Sequence, residues 1–302
     1  MKHIVFSPEV EYGIKHGLPI LALESTVITH GMPYPENLET AKVLEAIVRH
    51  SNVIPATICL LDGVIKVGMT EHDFDKLTQS KNPEKISQKD IIYAINGKLT
   101  GGTTVAATMF IAWKAGIKVF ATGGIGGVHR NAEKTMDISS DIMAFSKYPV
   151  IVVSAGAKAI LDLGKTLESL ETLSVPVLGY KTDYFPAFYS SSSPFRVRRV
   201  NSCSEIADLY KVQQELNLWN GILISNPIPV EHEIPGHIME EKIEHAISEA
   251  NAQKVNGKDL TPFLLSRLVD MTKGKSLKSN VELIKNNVRL GCELAIEVAN
   301  NK

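Results

Sequence analysis

Short, almost wholly apolar runs alternate along this chain with longer segments of helical period, and that alternation leaves few folds open. The runs are Ile20–Leu23, 57–61 with Val64–Val67, 118–122, 150–154, 175–180 and 221–225. Strands that are apolar on both faces belong in a sheet covered on both faces. Strands separated by helices are joined by crossovers that keep them parallel. The helical segments fall at 37–51, 103–115, 159–173, 204–217, 237–256 and about 279–300. The expected fold is therefore α/β: a single domain over residues 1–302, with a mixed, largely parallel central sheet and helices on both faces, an α/β/α sandwich. Asp62-Gly63, between two apolar runs, has the composition of a tight hairpin turn, so part of the sheet should be antiparallel. The segment 181–200 is rich in aromatic residues, serine and arginine. It reads as irregular, either a lid or substrate-facing loop or surface packing, with its four serines suited to a mobile turn.

Composition removes several function classes. The 302 residues carry a formal net charge of −1, so no global field favours nucleic acid or an anionic membrane, and any phosphate affinity must be local. Cys59, Cys203 and Cys292 are far apart and form no CxxC pair, which points away from a disulfide framework or a zinc knuckle and towards a reducing, cytoplasmic compartment. Pro8 and Glu9 interrupt the N-terminal apolar residues, so no signal peptide is expected, and no run is long enough to span a bilayer.

In open α/β sheets ligands gather beyond the C-terminal ends of the strands. Three notable polar groups follow strands directly: Glu24 after Ile20–Leu23, Thr122 and its glycines after 118–121, and Lys158 after 150–154. Ile160, Leu163, Leu167 and Leu170 recur at helical spacing, which would set Lys158 at a strand-to-helix junction. The positive end of a helix dipole there disfavours an ammonium and favours an amine nucleophile. A solvated lysine on a first helical turn is the competing reading. Glu24 lies among apolar neighbours and suits a general acid or base; a carboxylate satisfied by backbone amides is its competitor. The run Gly123-Gly124-Ile125-Gly126-Gly127 allows close backbone approach to an anion but matches neither GxGxxG nor GxxxxGK[ST], and His129 and Arg130 sit beside it. Asp137 and Asp141 would share a helix face, and with their interleaved hydroxyls would suit a hard divalent cation, unless one merely caps the helix. Gly101-Gly102-Thr103-Thr104 feeds a helix N-terminus, a ready phosphate site or an ordinary cap. His232 to His237 is one residue too long for HExxH and is broken by Pro235-Gly236.

Seven segments in one order, ALESTVITHGMPYPENLETA (22–41), GGTTVAATM (101–109), ATGGIGGVHR (121–130), DISSD (137–141), SAGAKAILDLGKTLE (154–168), TDYFPAFY (182–189) and SNPIP (225–229), resemble the pseudouridine-5′-phosphate glycosidase family, also called indigoidine synthase A-like. The resemblance spans nearly the whole chain. It implies a Schiff-base C–C glycosidase that converts pseudouridine 5′-phosphate and water to uracil and ribose 5-phosphate. Lys158 matches the nucleophile that forms an imine with C1′ of the opened ribose, and Glu24 the proton donor. Asp137 matches the ligand of a Mn²⁺ ion whose other ligands are water. Lys85, Val105, Ser139, Ser140 and Asp141 match substrate-binding positions; the flank of Lys85 departs from the family pattern, which more often has arginine before the following aspartate. Thr122, His129 and a C-terminal asparagine, Asn280 among Asn280, Asn286 and Asn287, match positions near the base or phosphate. The resemblance also implies a cytoplasmic homotrimer with a small-molecule substrate and no nucleic-acid or membrane partner.

A C–C glycosidic bond offers no leaving-group oxygen for the two-carboxylate route of ordinary glycosidases. An amine, a carboxyl and a phosphate anchor meet the need instead, and the chain holds all three. Another imine-forming lyase or aldolase on a sugar phosphate would use the same lysine with a different base pocket. A non-catalytic metabolite-binding or pigment-pathway protein would tolerate loss of Lys158, Glu24 or Asp137, and none is lost.

Overall fold

In a computed structural model, described for residues 2–255 and 257–301, thirteen strands are seen among the described residues. They are β1 (Ile4–Phe6), β2 (Ile20–Leu23), β3 (Ile54–Leu61), β4 (Val64–Val67), β5 (Glu84–Ile86), β6 (Gly101–Thr103), β7 (Val119–Ala121), β8 (Val128–His129), β9 (Ile151–Ser154), β10 (Leu161–Asp162), β11 (Val177–Tyr180), β12 (Arg198–Val200) and β13 (Ile222–Ser225). Eleven form one sheet in the order β1-β4-β3-β2-β7-β9-β13-β11-β12, with β6 on β3 and β5 on β6, while β8 and β10 pair separately. From β3 to β12 every neighbouring pair on that path is parallel. β4 and β6 run antiparallel to β3.

The long β3 serves both halves of the sheet. Ile54–Thr57 pairs with β2, and Ile58–Leu61 turns back on β4. Asp62 and Gly63 close that hairpin with φ of 48° and 77°, the two left-handed residues of a type I′ turn, as the Asp-Gly pair predicts. The parallel strands are apolar because both faces are covered. Helix Lys275–Asn300 lies along β2, β7 and β9, where Gly291 lets it approach Leu21 and Ala121. Helix Val105–Lys114 packs on β2 and β6, with the side chain of Met109 against Gly221. The fold is thus the expected α/β sandwich with a mixed, largely parallel sheet.

Three expectations change. The helix after β9 begins at Leu163, not 159: Asp162 caps it by accepting from the Lys165 N–H at 3.0 Å, and Leu161 is held in a strand opposite His129. Lys158 therefore lies in a loop, and a helix dipole acting on it drops out of the argument. Asp137 and Asp141 do not share a helix, because Ile138 bridges to Val128 and the helix starts only at Ser140, with Ser139 as its cap. Finally, 181–200 is more ordered than its serines suggest. It contains β12, and Phe185, Phe188 and Tyr189 are buried in the core, which is neither a mobile turn nor surface packing. Among the described residues no helix is long and apolar enough to cross a membrane, and the three cysteines are unpaired and buried.

Candidate active site

The chain leaves β2 towards β3 and leaves β7 towards β9, so the connections diverge at the β2–β7 boundary, the switch point where open α/β sheets bind ligands. Leu23, Ala121 and Val153 are register neighbours on β2, β7 and β9. The chain emerging beyond them carries Glu24, Thr122 and Lys158 respectively, and a cavity of about 230 Å³ opens there. Of the residues that the family resemblance places in the site, Glu24, Lys85, Val105, His129, Asp137, Ser139, Ser140, Asp141, Lys158 and Asn280 line it and Thr122 does not; Arg130, also singled out in the sequence, does not line it either.

Glu24 is held by hydroxyls on both sides. Thr26 donates to Oε2 at 2.6 Å, and buried Thr122 donates to Oε1. Thr122 and Gly123 are fixed from behind by wholly buried Asn287, whose Nδ2 donates to their carbonyls at 2.8 and 3.3 Å. Asn287 Oδ1 accepts in turn from Asn226. Of the three candidate asparagines only Asn280 lines the cavity; Asn286 donates to the Pro227 carbonyl.

Lys158 is positioned through its backbone, its N–H donating to the Ile125 carbonyl and its carbonyl accepting from Leu161. Among the described residues it makes no ion pair. Gly156, at φ of 82°, supplies the bend before it, where a Cβ would stand 2.5 Å from the Pro186 carbonyl oxygen. Next to this loop, the His129 N–H donates to the Asp137 carbonyl, and His129 Nδ1 stands 4.0 Å from Asp137 Oδ2. Burial holds the His129 imidazole below the usual histidine range. Lys85 and Lys158 push the same way, and Asp137 opposes them.

Asp141 joins two arms of the site. Only 4% exposed, its carboxylate accepts from the Ala106 N–H and the Gly126 N–H, each at 2.8 Å. Gly126 must be glycine, since a Cβ there would stand 2.6 Å from Asp141 Oδ2 and 2.3 Å from Ser139 Oγ. Ala106 is in the first turn of helix Val105–Lys114, whose N-terminus faces the cavity behind Thr104. The Thr104 hydroxyl is buried with no hydrogen-bond partner among the described residues. With Lys85 and Lys89 also lining the cavity, this end is built for an anion.

The sequence reading missed Thr26, His30, Ser87, Lys89, Thr104 as a lining hydroxyl, and Phe188. Thr26 and His30 lie in the same segment as Glu24. Lys89 follows Lys85 by four residues, a weak signal that only the fold resolves. As for a metal, no group of three or more His, Cys, Asp or Glu side chains able to hold an ion occurs among the described residues. The oxygen donors at hand, one partly exposed carboxylate on Asp137 with the hydroxyls of Ser139 and Ser140, fit a hard cation that keeps most of its waters and do not fit a closed protein cage.

The family model described as indigoidine synthase A like protein matches residues 9–297. A pseudouridine-5′-phosphate glycosidase of Geobacillus kaustophilus is 51% identical over 98% of this chain and 99% of its own. One from Staphylococcus aureus is 48% identical over 98% and 97%. Among solved structures, an indigoidine synthase A-like protein of Thermotoga maritima has a TM-score of 0.90 at 34% identity, covering 98% of this chain and 96% of its own. The prealnumycin C-glycosynthase AlnA, solved in complex with ribulose 5-phosphate, has a TM-score of 0.92 at 34% identity, covering 99% and 98%. With matches running nearly end to end in sequence and fold alike, this chain belongs to the indigoidine synthase A-like family.

Proposed function

We propose that the protein is a pseudouridine-5′-phosphate glycosidase that cleaves the C–C glycosidic bond through a Lys158 imine. The observation that carries the reading is that Lys158 and Glu24 leave the parallel strands β9 and β2, both paired to β7, to line one cavity, in a chain about half identical to proteins of that name. The ribulose 5-phosphate bound by AlnA, an open-chain sugar phosphate, supports a site for an opened ribose 5-phosphate.

The bonds change as follows. A proton from Glu24 goes to O4′ as the O4′–C1′ bond breaks, the electrons of the pyrimidine forming an exocyclic C5=C1′ bond. The neutral Lys158 amine adds to C1′, and its surplus proton is returned to the carboxylate. Protonation of the pyrimidine at C5 then breaks the C1′–C5 bond while the nitrogen lone pair forms C1′=N. Water hydrolyses that imine to release ribose 5-phosphate. Thr26 and Thr122 orient Glu24 for these transfers; Asn280 lies near the base or phosphate, and His129 borders Lys158. Lys85, Val105, Ser139 and Ser140 hold the substrate at the anion end, and Asp141 supports them. Asp137 would hold a Mn²⁺ ion, whose charge when bound favours an anionic ligand beside it.

We further infer a homotrimer acting in the cytoplasm. Met136 and Ile138, exposed on either side of Asp137 in the chain, and exposed Met143 are apolar surface of the kind a subunit contact covers, and three unpaired cysteines suit a reducing compartment. Light scattering on the purified protein tests the assembly, and a monomer would refute it.

The test of the reaction is borohydride treatment with ribose 5-phosphate and intact-mass analysis. A reduced adduct is expected on the wild type and not on Lys158→Ala. An adduct persisting in the variant would overturn the nucleophile. No release of uracil from pseudouridine 5′-phosphate with added Mn²⁺ would overturn the reaction itself and favour an aldolase.

A further inference from the structure

Among the described residues, His30 is the one histidine lining the site to which neither the mechanism nor the family resemblance assigns a role, and the fold brings it to the anion end. It ends the short helix Thr26–Thr29 that follows Glu24. Thr29 rests against β6: a Cβ on Gly102 would come within 2.4 Å of Thr29 Oγ1. Gly102 is the register partner of Lys85 on β5, and two residues later Thr104 caps the helix that faces the cavity. His30 thus stands over the strand pair that delivers both Lys85 and that helix N-terminus.

Its ring is tethered and half-buried. Nδ1 shares a 2.7 Å hydrogen bond with Thr29 Oγ1, itself 3.3 Å from the Ser25 carbonyl. If the hydroxyl gives its one hydrogen to that carbonyl, Nδ1 carries the proton and Nε2 presents a lone pair; no other hydrogen bond to the ring is made among the described residues. A lone pair aimed at a phosphate repels it, whereas an N–H⁺ binds it strongly. We infer that His30 is a phosphate ligand, acting beside Lys85, that takes up a proton as the dianion enters.

The charges around it fit a ring that is neutral before binding. Burial holds His30 below the usual histidine range, and Lys85 adds to that; Glu84, also on β5, and Asp259, on the turn Gly257–Asp259, oppose it. A phosphate dianion between Lys85 and His30 cancels the lysine's effect and supplies a partner for the imidazolium, so proton uptake and anion binding favour each other.

The inference rests on the sugar-phosphate reading, and calorimetry separates the two. Titrating ribose 5-phosphate into the wild type near neutral pH, in buffers of different ionisation enthalpy, should show uptake of a substantial fraction of a proton per site. His30→Gln should lose at least about half of that uptake and bind about tenfold more weakly, as expected for losing a charged hydrogen bond. KM should rise far more than kcat falls. Phosphate's own second ionisation, near pH 6, contributes equally to both proteins, so the difference belongs to His30. The ring is not fully buried, so the variant should fold; His30→Asn is the second variant and should give the same loss. Uptake and affinity unchanged in both variants would overturn the assignment while leaving the reaction standing. Failure of the wild type to bind ribose 5-phosphate would overturn the sugar-phosphate reading and this assignment with it.

Discussion

The hydroxyl of Thr122, at the end of β7, donates to Oε1 of Glu24, at the end of β2, so one strand sets the rotamer of the carboxyl that its neighbour delivers. Thr26 holds the other oxygen. The carboxyl therefore faces the cavity in a fixed orientation before any substrate arrives, and proton transfer is sensitive to such placement.

Thr122→Val keeps the shape of the buried side chain and removes only this donor. We expect kcat for uracil release to fall about 10–100-fold, roughly the loss of 1.4–2.7 kcal/mol of transition-state stabilisation, with KM changed much less. Thr122→Ser should restore most of it. Steady-state kinetics on the three proteins decides; equal kcat in Thr122→Val would remove the orienting role.

Asp141 is expected to matter for stability as well as activity. Asn presents an NH₂ group towards one of two backbone N–H groups, from Ala106 and Gly126, that both now donate to a carboxylate. One buried donor is left unsatisfied, so Asp141→Asn should cost about 2–3 kcal/mol in denaturant unfolding. Gly126→Ala should cost a comparable amount, since its methyl would meet the same carboxylate and Ser139 Oγ. If Asp141→Asn unfolds at the wild-type midpoint, the bridge between the two arms carries no stability.

Asp137 supplies the sharpest metal test. With one protein carboxylate and hydroxyls at hand, removing it should abolish Mn²⁺ binding outright and not merely weaken it. Equilibrium dialysis with Mn²⁺ should give about one ion per chain for the wild type and none for Asp137→Ala. Chelation should lower wild-type activity and leave the variant's residual activity unchanged. Stoichiometric Mn²⁺ on the variant would take the metal away from Asp137.

Much of this site was legible because its parts hang from parallel strands. A buried parallel strand is apolar throughout, so the first polar residue after it stands out, and Glu24, Thr122 and Lys158 were each visible as such. The Asp62-Gly63 turn was legible because its left-handed conformations are a local property. The start of the helix after Lys158 was not. Ile160 fits the helical period, but its neighbour Leu161 pairs with His129, a long-range contact no local pattern records. Asp162 as N-cap was the local signal available. Asp137 and Asp141 misled similarly, since four-residue spacing implies one face only inside a helix, and the cap at Ser139 marks where the helix begins. The serines of 190–193 drew attention to a turn, whereas Phe185, Phe188 and Tyr189 beside them are bound into the core. His30 was invisible for the opposite reason: its role depends on Lys85, on a strand 55 residues away in sequence, reached only through Gly102.

The two half-buried histidines also set an acid limit on the fold. His30 and His129 are both held below the usual histidine value of about 6.5, chiefly by burial, with Lys85 adding to each. The unfolded chain therefore binds protons at these residues at a higher pH than the native protein does. Their contribution to stability is complete above about pH 6.5 and is lost as pH falls through the lower, native values. Glu45 works in the opposite sense. Burial raises its carboxyl, so its contribution is greatest in acid and lost as pH rises through the raised value. The wild-type profile alone mixes these effects, and substitution separates them. Urea midpoints of His30→Gln and His129→Gln should each fall less than the wild type's between about pH 7.5 and 5.5, because neutral glutamine has no proton to gain. Midpoints falling in parallel for all three proteins would show that neither histidine is linked to folding.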